Sequence, residues 1–158
     1  MPQRVFLVYA DTSVFGGILD EEFREVSRAF FQEVRGGRFR LLHSAVVDRE
    51  LRPAPAEVRR FYEGLLAAAE IVEITVEALE LQQAYLAEGI LPSSAAMDAL
   101  HVALATLGRA DLIVSWNFKH IVHFDKIRRF NAINRLRGWQ TVEIFSPNEV
   151  IAYEDEGL

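Results

Sequence analysis

The chain has 158 residues, of which 51% are hydrophobic and 25% are charged, and its net charge is −6. This composition predicts one folded domain with a sizeable core, and the acidic balance argues against an unselective nucleic-acid binder. The absence of cysteine excludes disulfides, thiolate metal sites and cysteine nucleophiles. No apolar run reaches the roughly 18 residues that span a bilayer. We therefore expect a cytoplasmic protein without a membrane segment.

Strands alternate with helices along the sequence. Residues 4–10, RVFLVYA, form a nearly continuous apolar run that is typical of a buried strand and too short for a signal peptide. Further strands are predicted at 39–43, 70–75, 111–115 and 141–145. Helices are predicted at 20–35, 44–51, 55–69, 76–88, 93–108, 125–137 and from Ser146 onward. The alternation predicts a single α/β domain over residues 1–150, with a mostly parallel sheet covered on both faces, and an acidic tail at 151–158.

Polar side chains follow three of the predicted strands, at the carboxyl edge where α/β sheets bind ligands. Asp11 comes directly after the first strand, Glu50 lies on the short helix after the second, and Asn117 follows the fourth. Asp98 lies in the small and apolar stretch SSAAMDALHVALATLG, without a lysine or arginine at helical spacing. Because burying an unpaired carboxylate costs several kcal/mol, we expect Asp98 to have a partner.

A divalent cation is the partner that best fits these residue types. Carboxylates gathered in one crevice repel each other, and a bound cation removes that repulsion. Without cysteine or a close histidine pair the available ligands are oxygens, which favour Mg²⁺ or Mn²⁺ over zinc. A carboxylate-held Mg²⁺ that keeps several waters is typical of phosphodiester chemistry.

Four segments, in this order, resemble the PIN domain, the ribonuclease fold of VapC-like toxins from toxin–antitoxin pairs. They are YADTSV, SAVVDREL, MDALHVALA and ADLIVSWNFKHI, and the later GWQTVEIFSPNEV is similar to the closing strand and helix of that family. The resemblance covers nearly the whole chain. It implies a three-layer α/β/α sandwich around a parallel sheet, usually a homodimer, that cleaves RNA with Mg²⁺ or Mn²⁺.

The same resemblance assigns residues to the site. It maps Asp11, Glu50 and Asp98 onto the three core acidic ligands of the family. Position 117 departs from the pattern, since many members have an aspartate there and this chain has Asn117, which offers a carbonyl oxygen but no charge. Binding of a second ion is therefore open, and three less well-matched aspartates are possible substitutes: Asp48, Asp111 and Asp125.

Several neighbours of the acidic residues have more than one interpretation. Thr12 and Ser13 either hold the first carboxylate by hydrogen bonds, contact phosphate, or cap the following helix. Ser115 either supports the site or simply ends its strand. His101, one helical turn after the third carboxylate, either orients that group or is a core histidine with satisfied nitrogens.

Residues 115–139 hold six lysines and arginines against a single aspartate. This local positive charge either contacts phosphate or forms a solvated helix face. Lys119, His120 and Arg49 lie close to site residues in sequence and either bind RNA or face solvent. The two tryptophans are predicted to pack in the fold rather than stack on bases.

Three functions compete for this pattern. The first is a metal-dependent ribonuclease, the toxin of a pair with a small antitoxin. The second is a catalytically weak or inactive PIN-fold module that binds RNA or a protein partner, which Asn117 keeps open. The third, phosphoryl transfer through Asp11, is disfavoured because DTSVF lacks a second aspartate two positions on.

Overall fold

The computed structural model describes residues 4–152, and its centre is a five-stranded sheet in which every pair of neighbouring strands is parallel. The strand order is β3-β2-β1-β4-β5. The strands are β1 (Phe6–Ala10), β2 (Phe39–Ser44), β3 (Glu70–Val72), β4 (Leu112–Val114) and β5 (Glu143–Phe145). All five predicted strands are thus confirmed. Of the predicted tail at 151–158, residues 153–158 lie outside the described residues.

Within residues 4–152, eight α-helices connect and cover the strands. They are α1 (Thr12–Gly16), α2 (Arg24–Arg35), α3 (Ala45–Leu51), α4 (Ala56–Glu63), α5 (Val76–Ala87), α6 (Ala96–Leu107), α7 (Phe124–Leu136) and α8 (Pro147–Val150). Short 3₁₀ turns occupy 17–19, 66–68 and 93–95.

The helices depart from the prediction at 12–16, 20–23 and 64–69. Helix α1 was not predicted, because five residues are too few to show a helical period. Helix α2 begins at Arg24 rather than 20, because the Asp20 carboxylate accepts the backbone N–H groups of Glu22 and Phe23 and forms a turn first. The helix predicted over 55–69 ends at Glu63, before Gly64, and only a 3₁₀ turn follows.

The helices form two layers, one on each face of the sheet. Successive strand residues point to opposite faces. Tyr9 of β1 reaches α6, where it meets His101, while the Phe39 ring of β2 packs against that of Phe30 in α2. Helices α5 and α7 extend the layer of α6, and α8 packs beside α2. The predicted three-layer α/β/α architecture with a parallel sheet is confirmed.

Parallel pairing brings the ends of three strands to one edge. Tyr9 is in register with Leu42, and Ala10 with Val114, so β1, β2 and β4 end side by side. Ser44 ends β2 and caps α3 by accepting the Val47 N–H. The residues that follow these strand ends therefore share the carboxyl edge.

Candidate active site at the carboxyl edge

Asp11 is the buried carboxylate of this edge, with only 4% of its surface exposed. It follows β1 and precedes the first residue of α1. Ser13 Oγ donates to Asp11 Oδ1 at 2.6 Å and accepts the Trp116 N–H at 2.9 Å, which ties the ends of β1 and β4 together. Burial raises the pKa of Asp11; the charge of His101 and bonds from Ser13 and Ser115 oppose this, but the net pKa stays above its usual value.

Glu50 lies in the last turn of α3, and two donors hold one of its oxygens. Thr12 Oγ1 and His101 Nε2 each lie 2.6 Å from Glu50 Oε1. No side chain among residues 4–152 donates a hydrogen bond to Oε2. Burial raises the pKa of Glu50, but the hydrogen bond and charge of His101 and the bond from Thr12 prevail, so its pKa lies below the usual value. Glu50 is therefore an ionised group with one oxygen held.

His101 of α6 lies at the centre of the site and is almost fully buried. Its Nδ1 is 2.7 Å from the Tyr9 hydroxyl, which is itself 2.8 Å from Ser44 Oγ. Burial alone lowers the pKa of His101, but the bond to Glu50 and the negative charges of Asp11, Glu50 and Asp98 outweigh it and raise that pKa above its usual value. All three predicted acidic residues therefore lie near this one imidazole.

Asp98 lies in the first turn of α6, not in the middle of a helix, because α6 begins at Ala96. Its side chain is 25% exposed, and His120 Nδ1 lies 2.9 Å from Asp98 Oδ2. A helix N-terminus also favours negative charge. Asp98 was expected to be buried and to have a partner; the burial was wrong, since the side chain is partly exposed, and His120 is a partner within the fold.

Asn117 shapes the turn that follows β4. Its side-chain Oδ1 accepts the His120 N–H at 2.9 Å, and its own N–H donates to Ser115 Oγ at 2.9 Å. The fully buried Ser115 thus makes hydrogen bonds both to the turn and to the Asp11 carboxylate. Asn117, where many PIN domains have an aspartate, still supplies a side-chain oxygen that accepts the His120 N–H, and the His120 imidazole contacts Asp98.

The suggested substitutes for a fourth carboxylate are not all near the site. Asp111 precedes β4 and lies at the opposite, amino edge, where it binds Arg4 at 2.7 Å and the Leu7 N–H at 2.8 Å. That assignment is wrong, because a residue before a strand and a residue after it lie at opposite edges of the sheet. Asp48 pairs with Arg52 at 3.8 Å on α3. Asp125 is exposed in the first turn of α7.

The donor set suits a hard cation in type but is not arranged around one. Within residues 4–152, no group of three or more histidine, aspartate or glutamate side chains is placed to hold a metal ion. The donors are nevertheless carboxylate oxygens at one edge, and Asp11 and Asp98 are close enough for their charges to repel. The structure brings Asp11, Glu50 and Asp98 around His101 without forming a closed ligand set.

The cationic and aromatic candidates occupy different surroundings. Lys119 and Arg49 are exposed. In the basic segment 115–139, Lys126 donates to the Lys119 carbonyl and Arg129 to the Glu88 carbonyl. The Arg128 guanidinium lies over the Phe124 ring, so three of the six cations make contacts within the fold. The Trp116 ring stacks on Phe23 at 4.1 Å and its indole N–H donates to Ser27 at 2.8 Å, which confirms a packing role. Trp139 is partly buried against the core.

The polar groups behind Glu50 were not predicted. Tyr9 lies in an apolar strand and Ser44 caps α3, yet the Tyr9 hydroxyl contacts both Ser44 and His101. Of the two interpretations of His101, the structure supports a core histidine with both ring nitrogens satisfied, and its Nε2 binds Glu50 rather than Asp98. One signal was available, since a tyrosine in a strand buried on both faces needs a partner for its hydroxyl. The partner itself comes from α6, 92 residues away.

Comparison with known proteins supports the fold. No family model and no curated protein matches the sequence. A chain of the VapBC2 complex from Rickettsia felis, bound to a DNA fragment from their promoter, superposes with a TM-score of 0.58 at 12% identity, covering 89% of this chain and 98% of that one. A chain of FitAcB from Neisseria gonorrhoeae gives 0.58 at 14% identity, with 90% and 99% covered.

A third solved structure also resembles this fold. A toxin–antitoxin complex from Klebsiella pneumoniae contains a chain with a TM-score of 0.52 at 19% identity, covering 72% of this chain and 88% of that one. The PIN-like resemblance predicted from the sequence is confirmed at the level of the fold. None of the described helices is long and apolar enough to cross a membrane.

Proposed function

We propose that this protein is a metal-dependent endoribonuclease and the toxin of a toxin–antitoxin pair. One observation carries the proposal: at the carboxyl edge of a PIN-like sheet, Glu50 contacts the buried His101 at 2.6 Å, and the negative charges of Asp11 and Asp98 also act on that imidazole. Unrelated stretches of chain rarely bring three acidic side chains together without a cationic ligand to balance them. The structural neighbours from toxin–antitoxin complexes support the same class of function.

Mg²⁺ or Mn²⁺ is the cofactor that the donors favour. Asp11, Glu50 and Asp98 are the residues to hold it, with the carbonyl oxygen of Asn117 as a neutral fourth donor. When bound, such an ion lowers the pKa of a water molecule and offsets charge that develops on the phosphate. Because Asn117 brings no charge to the site, one ion is a better match than two.

The remaining residues of the site position these groups or meet the RNA. Ser13 and Ser115 hold the Asp11 carboxylate, and Thr12 holds Glu50. Lys119 and Arg49 are exposed cations near the turn after β4 and on α3, and we assign them to contacts with RNA phosphates. His120 is engaged with Asp98 rather than free to meet phosphate.

The proposed partners follow the structural neighbours. Those neighbours are complexes of toxins with antitoxins, so we propose a small antitoxin protein as the partner of this chain, a homodimer as its assembly and the cytoplasm as its location. Expressing the protein in a bacterial host, with and without the product of a neighbouring small reading frame, tests this. Growth arrest that the second protein relieves supports the pair, and growth unaffected by the protein alone contradicts it.

Metal-dependent cleavage provides the direct test. The purified protein is incubated with a mixed RNA pool in Mn²⁺, in Mg²⁺ and in chelator, beside Asp98→Asn and the control Asp125→Asn. The control removes an exposed carboxylate on α7 that is not among the site residues. We expect cleavage in metal that is lost in chelator and in Asp98→Asn but retained in Asp125→Asn.

A binding module without catalysis is the second candidate. Two observations favour it: Asn117 supplies no charge, and the described carboxylates do not form a closed ligand set. RNA binding that persists in chelator, with no cleavage in either metal, supports this alternative and contradicts the nuclease.

A further inference from the structure

The proposed nuclease depends on a surface glutamate that must hold a fixed orientation. Glu50 is at the end of α3 with 35% of its side chain exposed, and a glutamate has three rotatable side-chain bonds. Left to solvent, such a side chain samples many rotamers and is a poor part of any ligand set. Something in the fold must therefore restrict it.

A buried chain of hydrogen bonds supplies that restriction. Ser44 Oγ lies 2.8 Å from the Tyr9 hydroxyl, that hydroxyl lies 2.7 Å from His101 Nδ1, and His101 Nε2 lies 2.6 Å from Glu50 Oε1. The first three of these residues are fully or almost fully buried. They belong to β2, β1 and α6, so the network fixes the imidazole ring from the core of the fold.

The direction of the last bond follows from chemistry. A carboxylate oxygen accepts hydrogen bonds, so at 2.6 Å His101 Nε2 carries the proton and donates to Glu50 Oε1. The bond from Thr12 reaches the same oxygen, Oε1. Two donors on one oxygen fix the plane of the carboxylate and leave Oε2 as the oxygen available to a ligand.

We propose that the Ser44–Tyr9–His101 chain is a positioning device for Glu50 that presents Oε2 to a divalent cation. This inference rests on the proposed function for the identity of the ligand. Its residues touch neither metal nor RNA; they act through Glu50. Partners of this kind behind a metal ligand typically contribute about 10- to 100-fold in metal affinity.

The fold offers a matched control for the Tyr9 hydroxyl. Tyr85 is also fully buried, and its hydroxyl binds Asn134 and Thr106, in the layer of α5, α6 and α7. Tyr9→Phe and Tyr85→Phe each remove one buried hydroxyl and keep the ring. Only Tyr9→Phe interrupts the chain to Glu50, so a purely structural effect would appear in both variants.

The test measures binding of Mn²⁺ alone, by calorimetry and by the electron paramagnetic resonance signal of free Mn²⁺. Both phenylalanine variants are first shown to be folded by circular dichroism and thermal unfolding. We expect Tyr9→Phe to weaken Mn²⁺ binding about 10-fold, while Tyr85→Phe binds as the unmodified protein does. Equal binding by the unmodified protein and Tyr9→Phe overturns the inference, as does equal weakening in both variants.

Rescue at His101 provides a second measurement. His101→Gln keeps an N–H donor near the position of Nε2, whereas His101→Leu fills the space without a donor. We expect His101→Gln to bind Mn²⁺ more tightly than His101→Leu, and equal binding by the two folded variants overturns the inference. If the unmodified protein binds no Mn²⁺, the proposed metal-dependent function is wrong. If both the unmodified protein and Tyr9→Phe bind Mn²⁺ equally well, only the positioning role is wrong.

Discussion

The imidazole of His120 binds the carboxylate of Asp98 across 2.9 Å, and this contact joins the turn after β4 to the first turn of α6. It parallels the contact of His101 with Glu50, so two of the three site carboxylates have a histidine on one oxygen. The two histidines differ in setting, since His101 is buried in the core and His120 is partly exposed.

Removing the His120 side chain tests whether this contact supports the ligand set. His120→Ala leaves Asp98 without its partner, but aspartate has a short side chain fixed at a helix terminus and needs less support than Glu50. We therefore expect Mn²⁺ binding to weaken about 10-fold, the lower end for such partners. Calorimetric titration of the folded variant measures this.

His123→Ala is the control for that experiment. His123 is exposed, lies three residues further on and makes no side-chain cap to α7. It should bind Mn²⁺ as the unmodified protein does. Tighter binding by His120→Ala would contradict our interpretation, because it would show that His120 competes with the ion for Asp98.

Restoring a carboxylate at position 117 tests the departure from the PIN pattern. Asn117→Asp keeps an oxygen that can accept the His120 N–H, so the turn after β4 should persist, and it adds a negative charge beside the site. Because cation affinity rises with the charge of the ligands, we expect tighter Mn²⁺ binding and, at high Mn²⁺, a second bound ion.

The control for this change is Asn117→Ala, which adds no charge and removes the acceptor. Its turn loses a hydrogen bond worth about 1 kcal/mol, so its thermal unfolding temperature should fall. If Asn117→Asp and the unmodified protein bind the same number of ions with the same affinity, position 117 does not contribute to the ligand set.

The sheet and the edge that carries the site could be predicted from the sequence. Apolar runs such as RVFLVYA determine strands buried on both faces, and alternation with helices requires parallel connections. Parallel strands then place Asp11 and the residues after Ser44 and Ser115 at one edge without further information. Asp111 was wrongly suggested as a site residue. It precedes β4, and the same rule places residues that precede a strand at the opposite edge of the sheet.

The contacts behind the carboxylates could not be predicted. Hydrogen bonds such as Tyr9 with His101 join residues far apart in the chain, and their partners depend on how α6 lies across the sheet. Asp98 lies in the first turn of α6 because that helix begins at Ala96. Helix boundaries depend on local caps, which sequence periodicity does not resolve. Propensity and spacing identify the site residues but not their donors.

Close packing of α6 on the sheet predicts a large effect of one glycine. A Cβ added at Gly108 would lie 2.4 Å from Leu42 Cδ2 and 3.2 Å from Val72 Cβ, both in strands. We expect Gly108→Ala to lower the free energy of unfolding by about 1–3 kcal/mol, the usual cost of overpacking. Gly16→Ala is the control, since its Cβ would meet nothing within 4 Å. Urea unfolding of both variants measures this, and equal stability would contradict the packing argument.

Buried tyrosines predict how stability depends on alkaline pH. Burial raises the pKa of Tyr85 well above its usual value, and burial together with the charge of Asp48 raises that of Tyr62 to about 12. A raised pKa means that the folded state holds the proton more tightly than the unfolded chain. The stability it contributes is therefore full below about pH 10, the pKa of an unfolded tyrosine, and is lost as the pH rises above it.

Replacing Tyr85 with phenylalanine measures how much this tyrosine contributes to the pH dependence of the free energy of unfolding. At pH 8, Tyr85→Phe should be less stable by about 1–3 kcal/mol, because Asn134 and Thr106 lose the hydroxyl that they contact in the interior. Between pH 10 and 11.5 the unmodified protein loses stability at up to about 1.4 kcal/mol per pH unit for each such tyrosine, whereas the variant lacks one of these contributions. Urea unfolding across this range should show the two free energies converging, and a constant gap would mean that Tyr85 ionises as readily in the fold as in the unfolded chain.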